Sequence, residues 1–288
     1  MTARHSALIR RKRLGAELRR IRKERGLTGA ELAKQLGWSE SKVSRVETAR
    51  IGLSMPDARR FVESLALIEE VRDNFLALAE DAANTRGWWN AYRSVITTEQ
   101  RMVADVEAGA ASIRYYASVM LPGLVQTPEY ARHCLKWHAD LGVGADDVDS
   151  AVDIRMARQR VLSGTEPLRY DVLIDESLLL RALAPVDIIR GQLRRLIELA
   201  TLPHIQLRIL PLERENAIWP PAGHSFCLID FRDPSDPPVV GLESLIDLRY
   251  LSEKQHVDTY KALFDRTWSV ALARDISIRR LEELAGAA

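Results

Sequence analysis

The stretch LTGAELAKQLGWSESKVSRVETAR, residues 27–50, holds two short amphipathic patterns separated by Gly37. Helices of about nine residues are marginal alone, so each must be held by its neighbours. Thr28 stands at a cap position with Glu31 three residues on, the spacing of a capping box. Leu32, Ala33 and Leu36 then recur on one face. Ser39 caps the next helix, whose apolar positions are Val43 and Val46. Ser41, Ser44, Arg45 and Thr48 fall at i, i+3, i+4 and i+7 and share its other face. Short polar side chains with one guanidinium can enter a major groove where a bulky apolar face cannot. The cap end, Ser39 to Lys42, offers backbone N–H groups and a positive dipole to phosphate. This is the physical form of a helix-turn-helix recognition helix.

Charge is uneven around this stretch. Residues 1–50 hold 14 Lys/Arg against 5 Asp/Glu, and the other 238 hold 27 against 35. A basic head on an acidic body points to a polyanion as the head's partner. Residues 7–25 read as a helix through Leu14, Leu18 and Ile21, ended by Gly26. Most of its basic residues, Arg10, Arg11, Lys12, Arg13, Arg19 and Arg20, read as a solvated face with one or two backbone contacts. Met55-Pro56-Asp57 starts a fourth helix, and residues 69–83 a fifth. The expected division is a helix-turn-helix DNA-binding domain over 1–84 and a second domain over 85–288.

Beyond residue 84, segments 99–119, 128–141, 145–163, 186–200 and 252–272 read as helices. Segments 168–175, 204–212, 224–231 and 237–244 read as strands. The expected fold is a mainly α five-helix head plus an α+β C-terminal domain with a small mixed sheet.

Residues 8–70, above all LTGAELAKQLGWSESKVSRVE (27–47), resemble the phage-repressor/Cro-type (Xre) helix-turn-helix domain of bacterial regulators. That resemblance implies base contacts from Glu40, Ser41 and Arg45, with Arg45 on a guanine edge and Glu40 accepting from a cytosine amino group. The alternative for Glu40 is plain stabilisation of a helix N-terminus. It places Lys42 and Ser44 near the backbone, where Ser39 and Arg20 are further candidates. It also implies a structural pair between Glu47 and Arg22. Family members often carry Gln at the position of Gly29, which is therefore given no contact, and Gly at that of Ala49.

Residues 88–284 resemble the DUF5753-like C-terminal domain of Scr1-type antitoxin-like regulators. The matching runs are PGLVQT-x-E-YAR (122–132), RMARQ (155–159), DESLLLR (175–181), QLRRL (192–196), RILP (208–211), GHSF (223–226) and VVGLE (239–243). The resemblance implies a partner, a small cognate protein encoded nearby that binds this domain and alters DNA affinity. Arg155, Arg158, Gln159, Glu176 and Arg181 are candidates for an interior polar network, since long charged side chains in apolar surroundings need partners. Read more sharply, they and Glu243 form a pocket for an acidic ligand or a partner's carboxylate. Trp88, Trp89, Tyr92, Tyr115, Tyr116 and Trp219 are candidates for its lining or for plain core.

The expected function is a sequence-specific transcriptional regulator, binding double-stranded DNA as a homodimer and responding to a partner protein or small-molecule effector. An antitoxin that mainly sequesters its partner is the alternative, and an enzyme with a DNA-binding head the remote one. No G-x-S-x-G, Walker A, H-E-x-x-H or C-x-x-C pattern occurs, so no catalytic residue, cofactor or metal site is expected. Cys134 and Cys227 have neither disulfide-framework nor zinc spacing. The start, MTARHSALIRRKRLG, is charged where a signal peptide is apolar. A cytoplasmic, nucleoid-associated protein that does not enter the membrane is expected.

Overall fold

The computed structural model describes residues 6–84, 87–143, 147–181, 183–212, 223–244 and 247–287. The chain divides into two compact units. The first comprises Met1–Asn90, Met102–Gly109 and Arg232–Pro237, and the second the remainder.

The first unit is helical. It is built from α1 (Ala7–Glu24), α2 (Gly29–Leu36), α3 (Glu40–Glu47), α4 (Met55–Ser64), α5 (Glu69–Ala83) and the last turns of α6 (Thr98–Gly109). Short helices survive because their ends are satisfied. Thr28 and Glu31 form the reciprocal capping box of α2, and Ser39 and Ser54 accept backbone N–H groups at the starts of α3 and α4. Each such cap is worth about 1 kcal/mol. Gly26 and Gly37 adopt left-handed backbone at φ +69° and +65°, which ends α1 and α2 at little steric cost. The apolar stripes meet in one core containing Leu14, Leu18, Leu32, Leu36, Val43, Val46, Phe61 and Phe75. Phe61 and Phe75 pack as a tilted pair with ring centroids 4.8 Å apart.

The second unit is organised on a mixed six-stranded sheet of order β3-β2-β1-β4-β5-β6. Its strands are β1 (Ala110–Ala117), β2 (Arg169–Asp175), β3 (Ile205–Leu210), β4 (Phe226–Phe231), β5 (Val239–Glu243) and β6 (Leu248–Leu251). β1, β2 and β3 run parallel, and the other pairings are antiparallel. The parallel strands need crossovers. These are supplied by α7 (Pro128–Asp140) with α8 (Val148–Arg158), and by α9 (Glu176–Leu180) with α10 (Val186–Thr201). α11 (Lys254–Ser269) lays Val257 and Phe264 on Tyr116, Leu173, Phe226, Leu228 and Val240 of one sheet face. α12 (Arg274–Ala287) packs with α10 and β3.

The continuous helix expected over 99–119 is corrected. The helix stops at Gly109, and residues 110–117 form β1, the strand between β2 and β4. Alanines at 104, 108, 110 and 111 favour helix locally. Ile113, Tyr115 and Tyr116 gain more from pairing on both sides with β2 and β4. β6 was not anticipated in the sequence.

Candidate nucleic-acid interface

α3 presents two unlike faces. Val43 and Val46 are each 2% exposed and enter the head core. Ser39, Glu40, Ser41, Ser44, Arg45 and Thr48 are all exposed. Ser39 Oγ accepts the Lys42 N–H at 3.2 Å. Thr48 donates its hydroxyl proton to the Ser44 carbonyl at 2.7 Å, and Arg45 Nε donates to the Ser41 carbonyl at 3.3 Å. The outward face is therefore narrow, polar and tipped by a guanidinium on a long stem.

Three contacts hold α3 in place. At Gly15, in the middle of α1, a Cβ would stand 2.5 Å from the Val46 carbonyl oxygen and 2.8 Å from that of Glu47. The two backbones meet where no other residue fits. Arg22 forks onto Glu47, with Nε 2.6 Å from Oε1 and Nη2 3.1 Å from Oε2, and donates a third bond to the Leu27 carbonyl at 2.7 Å. The hydrogen bonds with Glu47 raise the Arg22 pKa. Lys42 donates to Asp57 at 2.9 Å while lying 4.4 Å from the centre of the Trp38 ring, tying α3 to the start of α4. Burial pushes the Asp57 carboxyl up, but hydrogen bonds from Lys42 and Ser54 outweigh it and leave the group below its ordinary value.

These contacts sort the candidate residues. Glu40, Ser41, Arg45, Ser39 and Ser44 lie together on the open face. Lys42 is already engaged by Asp57 and Trp38. Arg20 is gripped by Glu17 at 2.6 Å and Glu24 at 2.5 Å, so a phosphate would have to displace two carboxylates. Arg10 departs from the solvated face expected of it: it is 4% exposed and lies among Asp81, Asp233 and Asp236. The roles of Gly15, Trp38 and Asp57 in seating α3 are not evident from the sequence pattern. Glycine inside a helix costs about 1 kcal/mol relative to alanine, and that was the available signal for a close approach at Gly15.

The candidates in the second unit engage several different partners. Arg155 donates to Gln126 at 2.7 Å, and Gln159 donates to the carbonyls of Gly123 and Gln126 at 3.0 and 2.7 Å. Arg158 lies beside Gly123. Together these side chains brace the PGLVQ loop. Glu176 instead receives Arg280 of α12 at 2.7 Å and the Leu212 N–H at 2.9 Å. Arg181 is exposed after α9, and Glu243 is exposed at the end of β5. His138 of α7 is driven down by burial and then by Arg155, with Glu243 opposing. Of the aromatic candidates, Trp89 and Tyr116 are buried core, and Trp219 lies outside the described residues. Tyr116 donates to Asp175 at 3.1 Å.

Comparison with known proteins matches residues 13–75 to a helix-turn-helix domain and residues 100–283 to a domain of unknown function, DUF5753. No curated protein and no solved structure matches the chain. Among the described residues, no helix is long and apolar enough to cross a membrane. The second match covers more than half of the 288 residues, and the chain belongs to the DUF5753 family, carrying a helix-turn-helix domain ahead of the family's own domain.

Proposed function

We propose that this chain is a sequence-specific DNA-binding transcriptional regulator, acting in the cytoplasm at the nucleoid. The observation that carries this reading is α3. Its inner face is locked by Val43, Val46, Gly15 and the Arg22–Glu47 pair, while Ser39, Glu40, Ser41, Ser44 and Arg45 remain open. Glu40, Ser41 and Arg45 read base edges, and Ser39 and Ser44 meet the backbone. Lys42 holds α3 to α4 through Asp57 rather than serving as a free phosphate ligand. One short helix reads few base pairs, so the working form is a homodimer on two half-sites about 34 Å apart. The DUF5753 domain receives a small partner protein or effector, and no catalysis is assigned to it.

Duplexes enriched from a random library on the full chain, then titrated by fluorescence anisotropy at about 50 and 200 mM salt, test the regulator reading. A sequence preference that survives the higher salt supports it. Weak binding without preference that vanishes there overturns it. Co-expression with the small protein encoded beside the gene, followed by size exclusion, tests the partner. Separate elution leaves a small molecule as the effector.

A further inference from the structure

A buried polar cluster lies at the start of α1, within the first unit. Asp105 of α6 is 7% exposed. It accepts the Ser6 hydroxyl at 2.6 Å and the Ala7 and Leu8 N–H groups at 3.1 and 3.0 Å, capping α1 from outside its own sequence. One turn on, the buried Arg10 guanidinium meets Asp233 at 2.5 Å, Asp236 at 3.1 Å and Asp81 at 3.5 Å. Arg13 reaches Asp236 at 3.5 Å. Breaking such a buried group by removing one partner is strongly unfavourable, whereas the intact group adds little net stability.

The chain connectivity of these carboxylates is informative. Asp105 lies five residues before β1 begins at Ala110. Asp233 and Asp236 lie in the turn between Phe231, the end of β4, and Val239, the start of β5. β1, β4 and β5 are adjacent in the sheet, and the pairs Ala110–Phe231 and Ile229–Val239 put the three strand ends on one edge. The β1–β4 register also slips between Ala110 and Ser112, at that same edge. At the other end of the relay, α1 meets α3 through Gly15 and Arg22.

Resting on the DNA-binding reading above, we infer that Ser6 and Arg10 are positioning residues in a control joint. Carboxylates continuous with β1, β4 and β5 hold the first two turns of α1, and α1 sets the pose of the recognition helix. A change of state in the sheet domain then alters DNA affinity without any effector reaching α3. Coupling of this kind is reciprocal, so DNA bound at α3 must act back on the three strands.

The test is hydrogen exchange on the full chain, with and without a saturating duplex enriched from the random library. In the unaltered protein, DNA should change exchange in residues 110–117, 226–231 and 239–243 by about fivefold or more, the low end of measured coupling. In the double variant Asp233→Asn with Asp236→Asn, α3 should still gain protection on DNA while the strand response disappears. Ser6→Ala, which removes one hydroxyl, should weaken that response and serves if the double variant fails to fold. A purely structural anchor predicts a different result: DNA binds and the three strands exchange as before. That outcome overturns the joint and leaves the regulator reading intact, as does a strand response undiminished in the variants. If no duplex is enriched, the regulator reading falls and the joint falls with it.

Discussion

Gly15 of α1 and Val46 of α3 approach so closely that a Cβ on the glycine would stand 2.5 Å from the valine's carbonyl oxygen. The obstacle is backbone, so no rotamer change relieves it. Gly15→Ala should therefore displace α3, destabilising the head by about 1–3 kcal/mol despite alanine's better helix propensity. Gly29→Ala, at the start of α2 with nothing within 4 Å of the new methyl, is the control. Urea denaturation should separate the two, with Gly29→Ala neutral or stabilising.

Ala49 carries the opposite defect. Its φ of +55° ends α3 in left-handed backbone, where a Cβ crowds the following carbonyl. Ala49→Gly should raise stability by about 1 kcal/mol, read as a higher midpoint in thermal or urea denaturation. Ala66, at φ +44° after α4, should respond in the same direction.

Glu47 tests the fork from α1. Its side chain is 10% exposed and that of Arg22 is 12% exposed, so truncating the glutamate leaves a largely desolvated guanidinium. Glu47→Ala should cost about 3–5 kcal/mol. Arg22→Lys should also lower stability, since an ammonium cannot make the two parallel bonds to Glu47. DNA affinity measured across both variants should track the folded fraction, with unchanged sequence preference.

The head was legible because its signals are local. Thr28 and Ser39 cap helices within three residues of themselves, and Gly26 and Gly37 end them. The alternation of inward Val43 and Val46 with outward Ser41, Ser44 and Arg45 needs no information beyond α3. What escaped reading is non-local. β1 looks helical until β2 and β4 flank it, and β6 is a four-residue strand defined by its pairing with β5. Arg10 reads as one more cation on a basic helix, because its carboxylate partners are 71 to 226 residues away in sequence. The same distance explains the C-terminal candidates. Spacing cannot say that Arg155 serves Gln126 while Glu176 serves Arg280.

Arg45 and Arg20 should behave differently toward DNA. Arg45 lies on the open face of α3, and its alanine variant should lose about 1–3 kcal/mol of binding and relax preference at one base pair. Arg20 is held between Glu17 and Glu24. With those pairs intact in the complex, Arg20→Ala should leave the slope of log affinity against log salt unchanged. Anisotropy titrations over a series of salt concentrations decide it; a slope shallower by about 1 would give Arg20 a phosphate after all.

Asp233 and Asp236 share Arg10 yet titrate in opposite directions. The Ser235 N–H, at 2.8 Å from Asp233, holds that carboxyl below its ordinary value of 3.8, and Arg10 adds to the effect against the opposing pull of burial. Burial drives Asp236 above the same value, overriding the attraction of Arg10. For Asp233 the folded pKa lies below the unfolded one, so its ionised form stabilises the fold above about pH 4 and that contribution disappears as pH falls through the folded pKa. For Asp236 the order is reversed: its ionised form is disfavoured by folding at neutral pH, and the penalty is relieved as pH drops through the raised folded pKa. Asp233→Asn should thus lose stability at pH 7, and its deficit relative to the unaltered chain should close on acidification. Asp236→Asn should cost less than Asp233→Asn at pH 7, because Asp81 and Asp233 still face Arg10 and the burial penalty on the ionised Asp236 is lifted, and the difference should close in acid. Urea midpoints from pH 7 to about pH 3 measure both; a larger loss for Asp236→Asn than for Asp233→Asn at pH 7 would show that the Arg10 contact, not burial, governs Asp236.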